Sequence, residues 1–197
     1  KGKMTPAKYA HNVYNESTHS ATSEMKTQVL VLDSKELKDI CYMIPCPKSP
    51  HGCDVDPTGE YIVGSGKLAA LIPVFSFDKL QNAIKNKQFE GEYDGISVIK
   101  YEAALHGEVQ KPGLGPLHTE FDANGNAYTS FFVSSEIVKW NVKDLKVLDR
   151  VPTYYSIGHL SVPGGSTRKP HGKYVIAYNK ITKDRYLPTG PELAQSA

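Results

Sequence analysis

Histidine binds transition metals and moves protons near neutral pH more readily than any other side chain, and three of the seven histidines in this chain of 197 residues recur in matching surroundings. His51 opens "SPHGCDVDPTGEYIVGSG", which alternates into a D-P-T-G turn at Asp56 to Gly59 and resumes as the strand "EYIVGSG". His118 opens "GPLHTEFDANGNAYTSFF", whose D-A-N-G turn at Asp122 to Gly125 leads into "NAYTSFF". His159 opens a looser copy, "GHLSVPGGSTRKPHGKYVIAYNK", with a longer loop before the strand "KYVIAYNK". Three imidazoles in one register suit zinc, copper, iron or nickel, and the ligand type alone does not choose among them. No carboxylate recurs with them, which weighs against calcium or magnesium at that place.

Other chemistry has weaker support. His11, His19 and His106 lie in polar, loop-like stretches, and His171 occupies a turn position equivalent to Thr58 or Asn124, where it is predicted to face solvent. G-x-S-x-G is absent, and "GSGK" at Gly64 to Lys67 lies inside a strand without the length or following helix of a phosphate loop. Cys41, Cys46 and Cys53 lack C-x-x-C spacing, and an odd number cannot pair fully within the chain. Either Cys41 and Cys46 form one disulfide in an oxidising compartment, or the three thiols are small buried hydrophobes.

The elements that must present the histidines are short strands. With 12 Tyr, 16 Gly and 13 Pro, the composition favours many strands joined by tight turns over long helices. Each copy runs on into a further strand, "LIPVFSFDKL" after the first, "EIVKWNVKDL" after the second and "RYLPTG" after the third, while "QVLVLDSKEL" resembles the last strand of an earlier unit. A four-stranded meander repeated in this way is the pattern of a propeller blade. The intervals from His51 to His118 and from His118 to His159 bracket the roughly 40 to 50 residues of known blades. "FDKLQNAIKNKQFEGEYDGISVIKYEAALHGEVQKPG" is the excess in the longer interval, predicted as an excursion between blades with helices at 78–86 and 100–106. In a propeller the innermost strand of each blade lines one channel, so the three histidines converge at one mouth of it.

A formal net charge of +2 with scattered lysines argues against nucleic acid as partner. The longest apolar run, "LAALIPVF", is too short to span a bilayer. The opening "KGKMTPAKYAHNVYNES" and the close "GPELAQSA" read as parts of a longer protein.

"SPHGCDVDPTGEYIVGSGKL", "GLGPLHTEFDANGNAYTSFFVSSEIVKWN", "GHL" and "NKITKDRYLPTGP" resemble the propeller domain of the nitrous-oxide reductase family, from about Tyr14 to Pro191. The resemblance implies an all-β, seven-bladed β-propeller, of which residues 1–197 would supply three to four blades. It implies a hub with a four-copper, sulfide-bridged cluster on seven histidines, and a cupredoxin domain with a dinuclear copper site that is absent from this chain. It further implies a periplasmic, head-to-tail homodimer that takes electrons from a c-type cytochrome or small copper protein and reduces nitrous oxide to dinitrogen and water in the last step of denitrification. His51, His118 and His159 match three of the copper ligands. Lys180 matches a lysine beside the cluster with a catalytic role, whose carbonyl also faces a structural calcium. Tyr14, Glu16 and Met25 resemble part of a second calcium site. The sequence departs from the family in the acid after Tyr-Asn, one residue early, in Ser49 where an asparagine usually precedes "PHG", and in "GPELAQ" where a calcium-binding acid is usual. With three of seven ligands, the segment alone is expected to be inactive.

Two other readings stand beside this one. A metal-free propeller would use its histidines to hydrogen-bond one another or water and would serve as a binding scaffold. A hydrolase-type propeller would hold one divalent ion on carboxylates such as Asp54 and Asp56, but the stretch after the second copy's histidine has Thr119 and Phe121, with Phe121 at the offset of Asp54.

Overall fold

A computed structural model describes residues 37–38, 40–154 and 156–180 together with residue 34, and the backbone of residues 5–15 and 20–31. The chain divides into two compact units, one formed by Lys1–Met43 with Phe89–Ile99 and the other by Ile44–Gln88 with Lys100–Ala197. In the first unit, strands β1 (Thr5–Asn15) and β2 (Ser20–Val31) form an antiparallel pair.

The second unit carries the repeat. After β3 (Pro50–Val55), β4 (Tyr61–Gly66) and β5 (Leu71–Ser76) comes helix α1 (Phe77–Lys85). Ser76 caps this helix by accepting from the Lys79 N–H at 3.2 Å, with Asp78 in the first turn and Lys85 in the last, each on the favourable end of the helix dipole. The hairpin β6 (Phe89–Tyr93) and β7 (Ile96–Ile99), which belongs to the first unit, and a single helical turn α2 (Tyr101–Ala104) precede β8 (Leu105–Gln110). Strands β9 (Pro116–Phe121), β10 (Asn126–Phe131), β11 (Glu136–Asn141) and β12 (Val147–Pro152) follow, then β13 (Ile157–Ser161) and β14 (Ile176–Asn179).

Two sheets have the order of complete blades, β3-β4-β5-β8 and β9-β10-β11-β12, and β13-β14 begin a third. All of their pairings are antiparallel. The two turns anticipated from the sequence have one design. Asp56 accepts from the N–H groups of Thr58 and Tyr61, Asp122 from those of Asn124 and Asn126, and Gly59 and Gly125 take the left-handed conformation at φ 82° and 77°.

The excursion is placed differently from expectation. It falls inside the first blade, between its third and fourth strands. Residues 105–106, expected as helix, start β8, which pairs with β5 from Phe75↔Leu105 to Leu71↔Gln110. "YEAAL" has good helix formers, but the unpaired edge of β5 offers a ladder of backbone hydrogen bonds that local propensity cannot match, so the helix stops after one turn.

Val63, Ile72, Val74 and Val109 from the first blade meet Phe121, Ala127, Phe131, Val138, Trp140 and Val142 of the second in one buried cluster. Removing this apolar surface from water holds the two sheets face to face. Their edge strands β3 and β9 therefore lie side by side, with β13 beyond β9.

Candidate metal centre

Each of the three edge strands carries an irregularity at its histidine. Along β3 the step from Pro50 to Cys53 faces only the shorter step from Gly64 to Gly66. Along β9 the step from Pro116 to Thr119 faces Thr129 to Phe131, and along β13 that from Ile157 to Leu160 faces Ala177 to Asn179. One extra residue is accommodated each time, and His51, His118 and His159 fall within the three insertions. A bulge breaks the strict alternation of side chains and lets a strand re-aim one of them, here towards the neighbouring blade edge.

Gly52 allows the strands to come this close. A Cβ there would lie 1.9 Å from the Leu117 carbonyl oxygen, so any side chain would force β3 away from β9. With glycine present, the His51 and His118 rings meet edge to face at a centroid separation of 4.8 Å, and His118 stacks on His159 at 4.2 Å with 26° between planes.

The His118 backbone N–H, displaced by the bulge, donates to the Ser130 hydroxyl at 3.3 Å. The next residue anchors the strand more firmly. Thr119 N–H donates to Asp54 Oδ2 at 2.8 Å, linking the two blade edges, while the Thr119 and Thr129 hydroxyls share a hydrogen bond at 2.8 Å and Trp140 Nε1–H donates to Thr129 at 2.9 Å. Burial, opposed by the Thr119 N–H and assisted by nearby Glu120, raises the Asp54 carboxyl to about 6.

His118 Nε2 is buried and has no hydrogen-bond partner. Burial first, and then the charges of His159, His51 and Lys180, push its pKa down to about 4. His51 is lowered by burial, then by Lys180, His159 and Lys67. Both imidazoles are therefore neutral at pH 7, with lone pairs free for a soft or borderline metal. Among the described residues, no three His, Cys, Asp or Glu side chains are arranged around a single ion. Near-parallel rings 4.2 Å apart direct their in-plane lone pairs side by side, so this grouping suits adjacent metal ions better than one shared ion.

Residues 150–197 match the family described as the nitrous oxide reductase propeller repeat. The nitrous-oxide reductase of Stutzerimonas stutzeri is 36% identical over 180 residues, covering 85% of this chain and 26% of that protein. Its counterpart in Ralstonia nicotianae is 34% identical over 187 residues, 89% of this chain and 26% of that protein. The chain belongs to the nitrous-oxide reductase family. It spans 26% of the length of these two relatives. Among solved structures, Kuenenia stuttgartiensis hydrazine synthase aligns with 60% of the chain and 27% of its own at 10% identity and a TM-score of 0.44.

Of the residues that the nitrous-oxide reductase resemblance singles out, the structure brings Lys180 to the histidines. Its N–H donates to the Ser156 carbonyl at 3.0 Å, and its aliphatic stem lies where a Cβ on Gly158 would be, 3.1 Å from Cδ. The stem thus crosses β13 beside His159. Glu16 lies outside the described residues, as do the side chains of Tyr14 and Met25. His106 is tied to the Lys143 carbonyl and the Tyr61 ring, and His171 is exposed, as expected.

The cysteines are free in this structure, Cys41 and Cys46 half-buried and Cys53 exposed, so they are not three buried hydrophobes. Cys53 lies on a blade edge where strand alternation turns its side chain out of the core. Lys67 is a contributor that sequence reasoning missed. Its backbone N–H donates to the Ser49 carbonyl, its ammonium lies 4.2 Å over the Phe132 ring, and its charge reaches His51. In "GSGK" it directly follows the end of β4, the strand paired with β3.

Proposed function

We propose that this chain forms part of the hub of a nitrous-oxide reductase, and that His51, His118 and His159 hold part of a four-copper, sulfide-bridged cluster. The observation that carries the proposal is the buried, unpartnered Nε2 of His118 between two further imidazoles, each on its own bulged strand. The donor set fits the group: neutral imidazoles suit copper, and their spacing favours neighbouring ions. When bound, the cluster would supply several reduced copper ions able to give electrons together to an inert, poorly ligating molecule.

The chain's own residues prepare the place. The bulges aim the three imidazoles, Ser130 and Asp54 hold the β9 backbone on either side of His118, and the core beneath excludes water. Lys180, beside the ligands, would offset the negative charge of sulfide in the reaction N2O + 2 e⁻ + 2 H⁺ → N2 + H2O.

The remaining parts of this reading are a partial propeller over residues 1–197, a cupredoxin domain elsewhere in the whole protein, and a periplasmic homodimer. Electrons would come from a c-type cytochrome or small copper protein. The Lys180 carbonyl, Tyr14, Glu16 and Met25 are the candidate calcium ligands. No helix among the described residues is long and apolar enough to cross a membrane. Because the other ligands lie elsewhere, this segment by itself would be inactive.

The test is metal content and visible absorption of the whole protein purified without air, beside His118→Ala. Copper in excess of the dinuclear site, with sulfide-to-copper bands that vanish in the variant, is the expected result. Copper confined to the dinuclear site would instead favour a metal-free scaffold.

A further inference from the structure

The segment that leads into β3 is pressed against the strand beside it. A Cβ on Gly66 would lie 2.7 Å from Pro47 Cβ, and a Cβ on Gly64 would lie 3.2 Å from the Cys46 sulfur. Gly64 is also the direct antiparallel partner of Cys53. Directly paired residues project their Cβ atoms from the same face of a sheet, about 4.5–5.5 Å apart. The Cys46 sulfur therefore lies over the spot next to the Cys53 Cβ, on the face to which Cys53 points. The absence of a side chain at Gly64 leaves the space between them open.

We propose that Cys46 and Cys53 form a disulfide that closes the loop carrying His51. The loop is already stiff, with Pro47, Pro50 and the left-handed Ser49 at φ 60°, and backbone N–H groups of Lys67 and Leu68 donate to Ser49 and Lys48. The bond would turn a loop held by noncovalent contacts into a closed ring and fix the approach of His51 to its neighbours. In the forming step each thiol gives up its proton and the S–S bond forms. The two electrons pass to a disulfide oxidant, which leaves as two thiols. The proposal stands whether or not copper binds.

Trypsin cleavage after Lys48 and Lys67 makes the pairing readable, because Cys41 and Cys46 then share one peptide and Cys53 lies on the next. The full chain and its Cys41→Ser variant would be reduced and equilibrated with oxidised glutathione, both natively and in urea. Remaining thiols would then be alkylated and the non-reduced digests weighed. The expected native product joins the two peptides in both proteins, with Cys41 alkylated in the wild type. In urea the wild type should shift towards Cys41–Cys46, the shorter loop. Native Cys41–Cys46 or Cys41–Cys53 bonds, glutathione on unlinked Cys46 and Cys53, or the same products in both solvents would overturn the proposal.

Discussion

The two ends of the blade-edge strands follow opposite rules. At the turn end, Asp122 accepts from Asn124, from both the backbone and the side chain of Asn126, and from the Tyr128 hydroxyl, so its carboxylate is amply satisfied. At the histidine end the ladder is broken by bulges, Lys180 and Lys67 lie near neutral imidazoles, and a buried imidazole nitrogen is left without a partner. One end closes a hairpin with its carboxylate matched to donors, and the other leaves the His118 Nε2 without a partner. A satisfied end and an unsatisfied end are thus separated along strands only a few residues long.

The largest test of that separation is a pair of variants in the whole protein. His118→Ala should abolish cluster copper and nitrous-oxide reduction while leaving the melting temperature of the metal-free protein within a few degrees of wild type. Asp122→Ala should do the reverse, costing about 2–3 kcal/mol by denaturant titration because it strands several donors, with copper per folded molecule unchanged. If Asp122→Ala loses copper as readily as stability, the two ends are not independent.

Gly52→Ala probes the boundary. Its Cβ would collide with the Leu117 carbonyl, so about 1–3 kcal/mol of stability should go with a fall in bound copper, measured by metal analysis of folded protein. Retention of full copper would show that close contact between β3 and β9 is not needed to aim His51.

The smallest effect contrasts two carboxyls by pH. Burial raises Asp122, but the hydrogen bonds from Asn126, Asn124 and Tyr128 outweigh it and hold the group below its ordinary value. Its contribution is present above the unfolded value near 3.9 and is lost as acid takes the pH through the folded one. Asp54, raised to about 6, behaves oppositely. Between about pH 4 and 6 the unfolded chain releases this proton while the folded chain keeps it, so stability falls as pH rises through that window. Asp54→Asn should flatten that part of the pH–stability curve by on the order of 1–2 kcal/mol, as followed by denaturant midpoints. An unchanged slope there would mean that Asp54 is ionised in the fold.

Much of this was legible in the sequence because it is local. The D-P-T-G and D-A-N-G turns, the strands beyond them and the places of His51, His118 and His159 ahead of their loops all show within windows of about 23 residues or fewer. What stayed hidden depends on distant partners. The bulges exist only relative to β4, β10 and β14. Strand β8 outcompetes a helix only because β5 offers it an edge, and Gly52 matters only because Leu117 passes 65 residues later in the chain.

The hydrogen bond from Trp140 to Thr129 has an optical consequence. Trp140 is the single tryptophan of the sequence and is fully buried in the blade that carries His118. Excited selectively over the twelve tyrosines, the chain has one emitter, held dry and at fixed polarity. Its emission wavelength is a gauge of that one blade, and any metal that settles at the neighbouring imidazoles would be read out as a loss of its brightness.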